Sequence, residues 1–203
     1  IGDDPEGQII QGLIKKLKIS LDYVHSSANI NTTKKTRFIS NSTQLLRLDT
    51  DSSGFKAVDY KLLKEKVKSA IGELDCIIIS DYDKGVCSTD IIQYIISIAD
   101  QEKIPIFIDP KGDSWSKYSN ATCITPNKKE AEKELGVILR NDTDFEKAAQ
   151  SICDKYNLKS CLITRGGQGL TYSVGTKIIH QGARKKEVFD VTGAGDTILA
   201  SLG

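Results

Sequence analysis

The sequence predicts an α/β fold in which a mostly parallel sheet is covered by helices on both faces. Short runs of continuous apolar residues, such as residues 76–79 and 160–164, alternate with segments whose apolar residues recur at helical spacing. Continuous apolar runs are typical of strands that are buried on both faces, and their alternation with helices is typical of parallel sheets. Polar segments follow each run, and in such folds ligands bind beyond the carboxyl ends of the strands.

Composition limits the classes of partner. The 203 residues carry 28 basic and 27 acidic side chains, and a formal net charge of +1 indicates neither a nucleic-acid nor a membrane partner. An apolar content of 39% allows one sizeable core. The five cysteines include no C-x-x-C pair, so we expect reduced thiols of a cytoplasmic protein rather than disulfides or a zinc site.

The first third of the chain predicts a helix, a strand and a hairpin. Apolar residues at helical spacing behind Pro5 predict a helix over residues 5–18, and residues 22–25 begin a strand. Residues 32–49 alternate polar and apolar, which predicts an antiparallel hairpin within about residues 30–50 with one solvent-exposed face. Because this hairpin interrupts the strand–helix alternation, we expect a lid or a dimer surface. Its basic residues are either solvated edge positions or, as for Arg37, contacts to a phosphorylated substrate.

A regular pattern of strands and helices follows from residue 55. We expect helices near residues 63–71, 91–99, 127–135 and 145–156, and strands at residues 76–79, 104–108, 123–124 and 160–164. Residues 170–174 and 177–180 predict a further hairpin. Trp115 and Tyr118 are expected to cover a sheet edge, and the single histidines His25 and His180 are not expected to be catalytic.

A strand, a glycine turn and a helix start are predicted at residues 188–200. Gly193 and Gly195 let the backbone approach a ligand, and the free N–H groups of a helix's first turn bind anions. A phosphate at this position would repel Asp196, so Asp196 suits the role of a general base for a hydroxyl that attacks a phosphoryl group. The local pattern is equally compatible with an acidic residue that only stabilises the helix dipole.

The segments after the four central strands carry residues that suit phosphate and magnesium. Lys111, Glu130 and Arg165 would lie on one rim, although each segment alone could be ordinary turn chemistry. Glu130 is expected to hold Mg²⁺ through water, because Mg²⁺ keeps most of its hydration in proteins. The alternative for Glu130 is a helix-stabilising residue in a first turn.

The segment D-V-T-G-A-G-D-T at residues 190–197 resembles the C-terminal signature of the ribokinase (PfkB) family of sugar kinases. The resemblance implies a ribokinase-like three-layer α/β/α fold with a small β lid, ATP and Mg²⁺ as cofactors, and Asp196 as the catalytic base beside an anion hole of Gly193, Ala194 and Gly195. Residues 127–130 are similar to the family's N-x-x-E motif, and residues 164–169 resemble its nucleotide loop. The implied ATP-binding residues are Lys111, Asn127, Lys128, Lys129, Glu130, Thr164, Arg165, Gly166 and Gly169.

Five segments narrow the resemblance to kinases of ADP-heptose synthesis: residues 35–37, 44–49, 80–85, 109–112 and 125–127. These kinases phosphorylate the anomeric hydroxyl of D-glycero-D-manno-heptose 7-phosphate to the 1,7-bisphosphate on the route to lipopolysaccharide core. The resemblance implies Arg37 and Lys84 as substrate-binding residues, a homodimer formed through the lid, and a possible fusion to a nucleotidyltransferase. Two alternatives stay open: a kinase of another sugar or sugar phosphate, and a non-catalytic nucleotide-binding module.

Both ends of the sequence look interrupted. The family's upstream substrate motif, Gly-Gly followed by an Asn, is absent, and the chain stops at Gly203, about two turns into the helix that begins at the glycine turn. We therefore expect residues 1–203 to be a fragment of a kinase domain that lacks its N- and C-terminal parts. Little turnover is expected from such a fragment, because phosphoryl transfer depends on positioning.

Overall fold

The computed structural model of the protein describes residues 1–41, 43–50, 58–183 and 193–203. Its chain divides into two units, residues 1–60 and residues 61–203. Among the helices of the described residues, none is both long enough and apolar enough to cross a membrane.

The first unit begins with helix α1 (Pro5–Lys16), whose start is fixed by Asp4. The Asp4 Oδ1 atom accepts a hydrogen bond from the Gly7 N–H over 2.7 Å, while Pro5 occupies a first-turn position where no N–H is needed. The other carboxylate oxygen accepts from the Thr32 N–H over 2.7 Å. These hydrogen bonds hold the Asp4 pKa below its ordinary value, with the Thr32 backbone bond as the largest cause. Asp4 therefore ties the start of α1 to the segment that leads into the hairpin.

The strand predicted at residues 22–25 does not form. Residues 21–23 instead make a turn, in which the Val24 N–H donates to the Leu21 carbonyl over 2.9 Å. The Asp22 N–H donates to the Ser20 hydroxyl over 3.1 Å, and such local side-chain bonds compete with strand pairing. The strand prediction was wrong for this reason, and an isolated bridge between Gly2 and Ser27 is the pairing found nearby.

The hairpin consists of strands β1 (Lys34–Ser40) and β2 (Thr43–Thr50), paired antiparallel. Its alternation places Phe38 opposite Leu46 on one face and Arg37 opposite Arg47 on the other. The prediction of a single exposed face was wrong, because Phe38 and Leu46 are 49% and 57% exposed. The hairpin thus presents an apolar face as well as a charged one.

The second unit contains a six-stranded sheet in the order β3-β4-β5-β6-β7-β8. The first four strands are parallel to one another, and β7 and β8 add to the edge antiparallel. The first four residues of β6 are all buried, so both faces of the sheet are covered there. The strands are β3 (Ile77–Ser80), β4 (Ile106–Asp109), β5 (Cys123–Ile124), β6 (Ser160–Thr164), β7 (Leu170–Val174) and β8 (Lys177–Gln181).

The helices match the predicted stripes: α2 (Tyr60–Ala70), α3 (Thr89–Glu102), α4 (Lys128–Leu135), α5 (Asp142–Tyr156) and α6 (Ala194–Ala200). Asn127 and Asn141 each begin a helix with a reciprocal capping box. A short 3₁₀ helix at Trp115–Tyr118 packs against α3 and α5. Trp115 and Tyr118 are almost fully buried there, so they are core residues and not covers of a sheet edge.

Candidate active site

The carboxyl ends of β3, β4, β5 and β6 lie on one rim because these strands are parallel. Asp109 closes β4 and Thr164 closes β6, while Asn127 forms a parallel bridge to Thr164. Helix α6 packs against β4 and β3. The structure therefore brings together the segments that follow four strands with the helix that carries Asp196.

Asp196 lies in the first turn of α6 and faces the segment after β3. The hydroxyl groups of Ser80 and Tyr82 donate to its carboxylate over 3.4 Å, and the carboxylate itself is exposed. Gly193 adopts a left-handed conformation (φ 78°) that favours glycine, and it starts the helix without a side-chain cap. The first-turn N–H groups of Ala194, Gly195 and Asp196 consequently have no partner within the helix. The strand predicted at residues 188–191 lies outside the described residues.

Glu130 performs two tasks at the rim. Its Oε1 atom accepts a hydrogen bond from the Lys111 ammonium group over 2.5 Å. Its Oε2 atom accepts from the Asn127 N–H over 2.9 Å, and the Asn127 Oδ1 atom accepts from the Glu130 N–H over 3.0 Å. The bond to Glu130 is the main cause of a raised pKa at Lys111. The helix-stabilising alternative for Glu130 is thus present in the structure, together with a second carboxylate oxygen that faces a cation.

Asp109 is a site residue that sequence reasoning missed. Burial raises the pKa of its carboxyl to about 6, with a further contribution from the negative charge of Glu130. Lys111 offsets part of this effect, and Asp196 adds to it. The Asp109 carboxyl therefore responds to the charges of two other carboxylates and one lysine at this rim, and perturbed groups of this kind are typical of functional sites. The available signal was an acidic residue at the end of a buried strand, two positions before Lys111.

Magnesium fits this donor set. In the part of the chain that the structure describes, no three acidic, histidine or cysteine side chains converge to hold a metal ion by themselves. Mg²⁺ does not need such a cage, since it is usually held by one or two carboxylates together with water and substrate phosphates. Asp109 and Glu130 supply two carboxylates at the position where phosphates are expected.

A buried hydrogen-bond network connects two segments of the same rim. Asp81 is 2% exposed, and its Oδ2 atom accepts hydrogen bonds from Lys117 Nζ and the Tyr118 hydroxyl, both over 2.7 Å. The Tyr118 hydroxyl oxygen in turn accepts from the Lys111 N–H over 3.0 Å. One buried carboxylate thus connects the segment after β3 with the segment that carries Lys111.

A polar cavity of about 610 Å³ opens beside these residues. Its walls include Lys84 and Lys133, which do not belong to the buried Asp81 network. A cavity of this volume lies in the range of small-molecule sites. The lining side chains most relevant to phosphate chemistry are Tyr82, Lys84, Lys111, Glu130 and Lys133.

The loop after β6 is shaped by glycine. Gly166 and Gly169 have φ values of 58° and 98°, in the left-handed region. A Cβ atom on Gly169 would come within 1.8 Å of the Gln181 carbonyl oxygen, so only glycine fits where the loop meets the end of β8. The Arg165 N–H donates to the Gly169 carbonyl over 2.8 Å and closes the loop.

Some of the predicted site residues are not among the side chains that meet at the rim. Arg165 forms an ion pair with Asp142 over 2.7 Å, and its side chain is only 10% exposed. Lys128 Nζ lies 3.7 Å from Glu132 on the same helix, and Lys129 is exposed on α4. Arg37 belongs to the hairpin of the first unit.

Comparisons with known proteins agree with this geometry. Residues 1–202 match the family described as pfkB family carbohydrate kinase. The bifunctional protein HldE of Actinobacillus succinogenes is 40% identical over 202 residues, which cover 99% of this chain and 41% of that protein. HldE of Syntrophotalea carbinolica is 31% identical over 205 residues, which cover 100% of this chain and 42% of that protein. The chain therefore spans about two fifths of the length of these curated relatives.

Solved structures confirm the predicted ribokinase-like α/β fold. The tetrameric inhibited form of phosphofructokinase-2 from Escherichia coli superposes with a TM-score of 0.79 at 20% identity, covering 99% of this chain and 66% of that chain. Ribokinase from Giardia lamblia gives a TM-score of 0.79 at 16% identity, covering 99% of this chain and 62% of that chain. At these identities the likeness concerns the fold alone.

Proposed function

Because the chain belongs to the pfkB family of carbohydrate kinases, we propose that it forms the sugar-kinase part of an enzyme that phosphorylates D-glycero-D-manno-heptose 7-phosphate with ATP. The observation that carries the phosphoryl-transfer step of this proposal is the packing of α6, which holds Asp196, against β4, which ends at Asp109 beside the Lys111–Glu130 pair. A carboxylate base beside paired acidic and basic groups is what phosphoryl transfer requires.

The proposed reaction is an in-line transfer at the α6 end of the rim. Asp196 accepts the proton of the C1 hydroxyl as the hydroxyl oxygen bonds to the γ-phosphorus of ATP. The bond from the γ-phosphorus to the bridging oxygen breaks, ADP leaves, and the sugar becomes the 1,7-bisphosphate. The N–H groups of Gly193, Ala194 and Gly195 stabilise the charge on the transferred group, and Lys111 neutralises part of the remainder.

Asp109 and Glu130 would hold Mg²⁺, with Glu130 acting through water. When bound, the ion supplies charge neutralisation on the ATP phosphates. The capping box of Asn127 and Glu130 fixes the start of α4 and holds the Glu130 carboxylate there.

The nucleotide would lie along the α4 start and the loop after β6. The sequence resemblance supports this placement, as do the left-handed glycines that expose loop backbone. The ATP-binding residues of the proposal are Lys111, Asn127, Lys128, Lys129, Glu130, Thr164, Gly166 and Gly169, together with the backbone of Arg165 in the same loop.

The choice of sugar and partners rests on the narrower resemblance. Arg37 and Lys84 would contact the sugar phosphate, and the apolar face of the β1–β2 hairpin would pair with a second copy of the chain. Since the relatives are bifunctional proteins of which this chain spans about two fifths, a second domain would carry a second activity. We place the reaction in the cytoplasm, where ATP is available and where the five free cysteines would stay reduced.

Phosphoryl transfer to a panel of sugar phosphates tests this proposal. The full-length protein is incubated with ATP and Mg²⁺, and ADP release and the phosphorylated position are followed by a coupled assay and ³¹P NMR. We expect the heptose 7-phosphate to be phosphorylated at C1 with the highest kcat/KM. Comparable transfer to fructose 6-phosphate would favour another sugar-phosphate kinase, and ATP binding without transfer would favour a binding module.

A further inference from the structure

The Arg165 side chain is buried against α5, although Arg165 belongs to the loop after β6. We propose that Arg165 is a positioning residue, which fixes the loop for nucleotide binding by anchoring it to α5 and β7 through its guanidinium group. The inference rests on the proposed function in one respect only, namely that the ligand of this loop is ATP.

Two nitrogens of the Arg165 guanidinium group have polar partners, and the third is buried. Its Nη2 atom lies 2.7 Å from Asp142 Oδ1, and its Nη1 atom donates to the Thr171 hydroxyl over 3.2 Å. The group also lies 4.2 Å from the centre of the Phe145 ring, a favourable cation–π distance. Its Nε atom is buried and has no hydrogen-bond partner among the described residues. To reach a phosphate, the side chain would have to leave the ring and break the ion pair.

Both ends of the loop are consequently restrained. At its start, Arg165 pairs with Asp142 of α5. At its end, Gly169 lies so close to Gln181 of β8 that a Cβ atom would not fit. Between them, the N–H groups of Gly166 and Gly167 make no hydrogen bond to any described residue. Fixing the two ends therefore fixes the direction of two backbone donors that can face an anion.

His180 extends the anchor through Thr171 and Glu146. The Thr171 hydroxyl, which accepts from Arg165, lies 3.0 Å from His180 Nδ1, and His180 Nε2 lies 2.9 Å from Glu146 Oε1. Arg165 Nη1 also lies 3.4 Å from His180 Nδ1. Since arginine can only donate, this arrangement requires Nδ1 to accept and Nε2 to carry the proton.

Asp142→Asn is the most informative variant, because Asp142 is 62% exposed and its replacement should leave the core intact. We expect the Kd for ATP to rise about three- to tenfold in both Asp142→Asn and Arg165→Ala, as for the loss of one partly buried pair. The double variant should be no weaker than Arg165→Ala, because both changes remove the same anchor. Arg140→Ala is the matched control, since Arg140 is an exposed arginine two positions before Asp142.

Arg165→Lys separates positioning from direct phosphate binding. Lysine binds phosphate well as a point charge but lacks the planar fork that pairs and stacks here. We therefore expect Arg165→Lys to bind ATP as weakly as Arg165→Ala.

The affinities are measured by calorimetry on the full-length protein without sugar, and hydrogen exchange reports the amide of Gly169. In Asp142→Asn this amide should exchange faster than in wild type. Unchanged ATP affinity in Asp142→Asn, or near-normal affinity in Arg165→Lys, would overturn the anchor. A wild-type protein that binds ATP but phosphorylates no sugar would instead overturn the proposed reaction and leave this comparison valid.

Discussion

Lys117 donates a hydrogen bond to Asp81 over 2.7 Å inside the second unit, where the two side chains are only 10% and 1% exposed. The Asp81 carboxylate accepts two more hydrogen bonds, from the Tyr118 hydroxyl and from the Asp83 N–H, each over 2.7 Å. Buried charges are tolerated when they are paired and hydrogen-bonded in this way. The pair therefore underpins two rim segments without itself facing a ligand.

Removing one partner of this pair should be costly. Lys117→Met leaves a buried carboxylate without its cation, and we expect a loss of about 3–5 kcal/mol in the free energy of unfolding, measured by urea denaturation. Lys133→Met is the control, because Lys133 pairs with Asp113 at the surface, and its unfolding midpoint should barely move. Equal midpoints for both variants would show that the Asp81 network carries no special weight.

Asp196→Asn tests the proposed base. The variant keeps its size and hydrogen bonds but cannot accept a proton, so kcat should fall about a hundred- to ten-thousand-fold. ATP affinity should stay the same or improve slightly, since a negative charge next to the phosphates is removed. Asp90→Asn makes the same change in the first turn of α3 and should leave kcat unchanged.

If Asp196 only stabilises the helix dipole, the variant should lose at most about 1 kcal/mol of stability. Its turnover should then be near normal. Steady-state kinetics and a thermal melt on the same variant decide between the two roles, and a kcat within a few-fold of wild type would refute the catalytic one.

The raised pKa of Asp109 predicts opposite effects of pH on stability and on Mg²⁺ affinity. Its pKa is raised from 3.8 to about 6, so its folded form binds the proton more tightly than the unfolded chain does. The ionised carboxylate therefore costs stability above about pH 6, and this cost disappears as the pH falls towards 3.8. Asp109→Asn should melt at a higher temperature than wild type at pH 7.5, with a difference that narrows at lower pH.

Magnesium affinity should change with pH in the other direction. If the ionised Asp109 helps to hold Mg²⁺, the Mg²⁺ concentration for half-maximal activity should rise as the pH falls through about 6. In Asp109→Asn that concentration should be higher at neutral pH and nearly independent of pH. A wild-type Mg²⁺ requirement that stays constant between pH 5.5 and 7.5 would exclude Asp109 from the metal site.

Arg37 and Arg47 form a matched pair for testing substrate contacts. They lie opposite each other on the hairpin, but Arg47 is paired with Asp49 over 3.0 Å. Arg37→Ala should raise KM for the phosphorylated sugar about tenfold and leave KM for ATP unchanged, because arginine suits bidentate phosphate contacts. Arg47→Ala should have little effect on either constant. Equal increases of both KM values in Arg37→Ala would indicate a folding defect instead.

The apolar face of the hairpin predicts self-association. Phe38, Leu46 and Leu48 are each about half exposed, and such a patch on a two-stranded sheet is expected to be covered by a partner. Solution scattering should give the mass of a dimer for the wild type and of a monomer for Leu46→Lys. Leu17→Lys, at an exposed leucine after α1, should remain dimeric. A wild-type monomer at high concentration would contradict this prediction.

The sequence predicted the elements of the second unit well because each depends on local signals. Apolar runs specify β4 and β6, and Asn127 marks a helix start that the structure confirms, while α5 begins at Asp142, three residues before the predicted start. The direction of the Arg165 side chain could not be predicted, because Asp142 and Phe145 lie some twenty residues away and on another element. The burial of Tyr118 was missed for the same reason, since its partner Asp81 follows another strand and is brought to it only by the sheet order.

The contact between Gly169 and Gln181 has a practical consequence for protein engineering. Since a Cβ atom there has no room, the loop after β6 lies directly against the end of β8. Lengthening β8 by one residue would displace that end and deform the loop. The turn between β7 and β8, by contrast, has open space around Gly175. An epitope or a fluorescent reporter inserted after Gly175 should therefore be tolerated, whereas the same insertion beside Gln181 should abolish ATP binding.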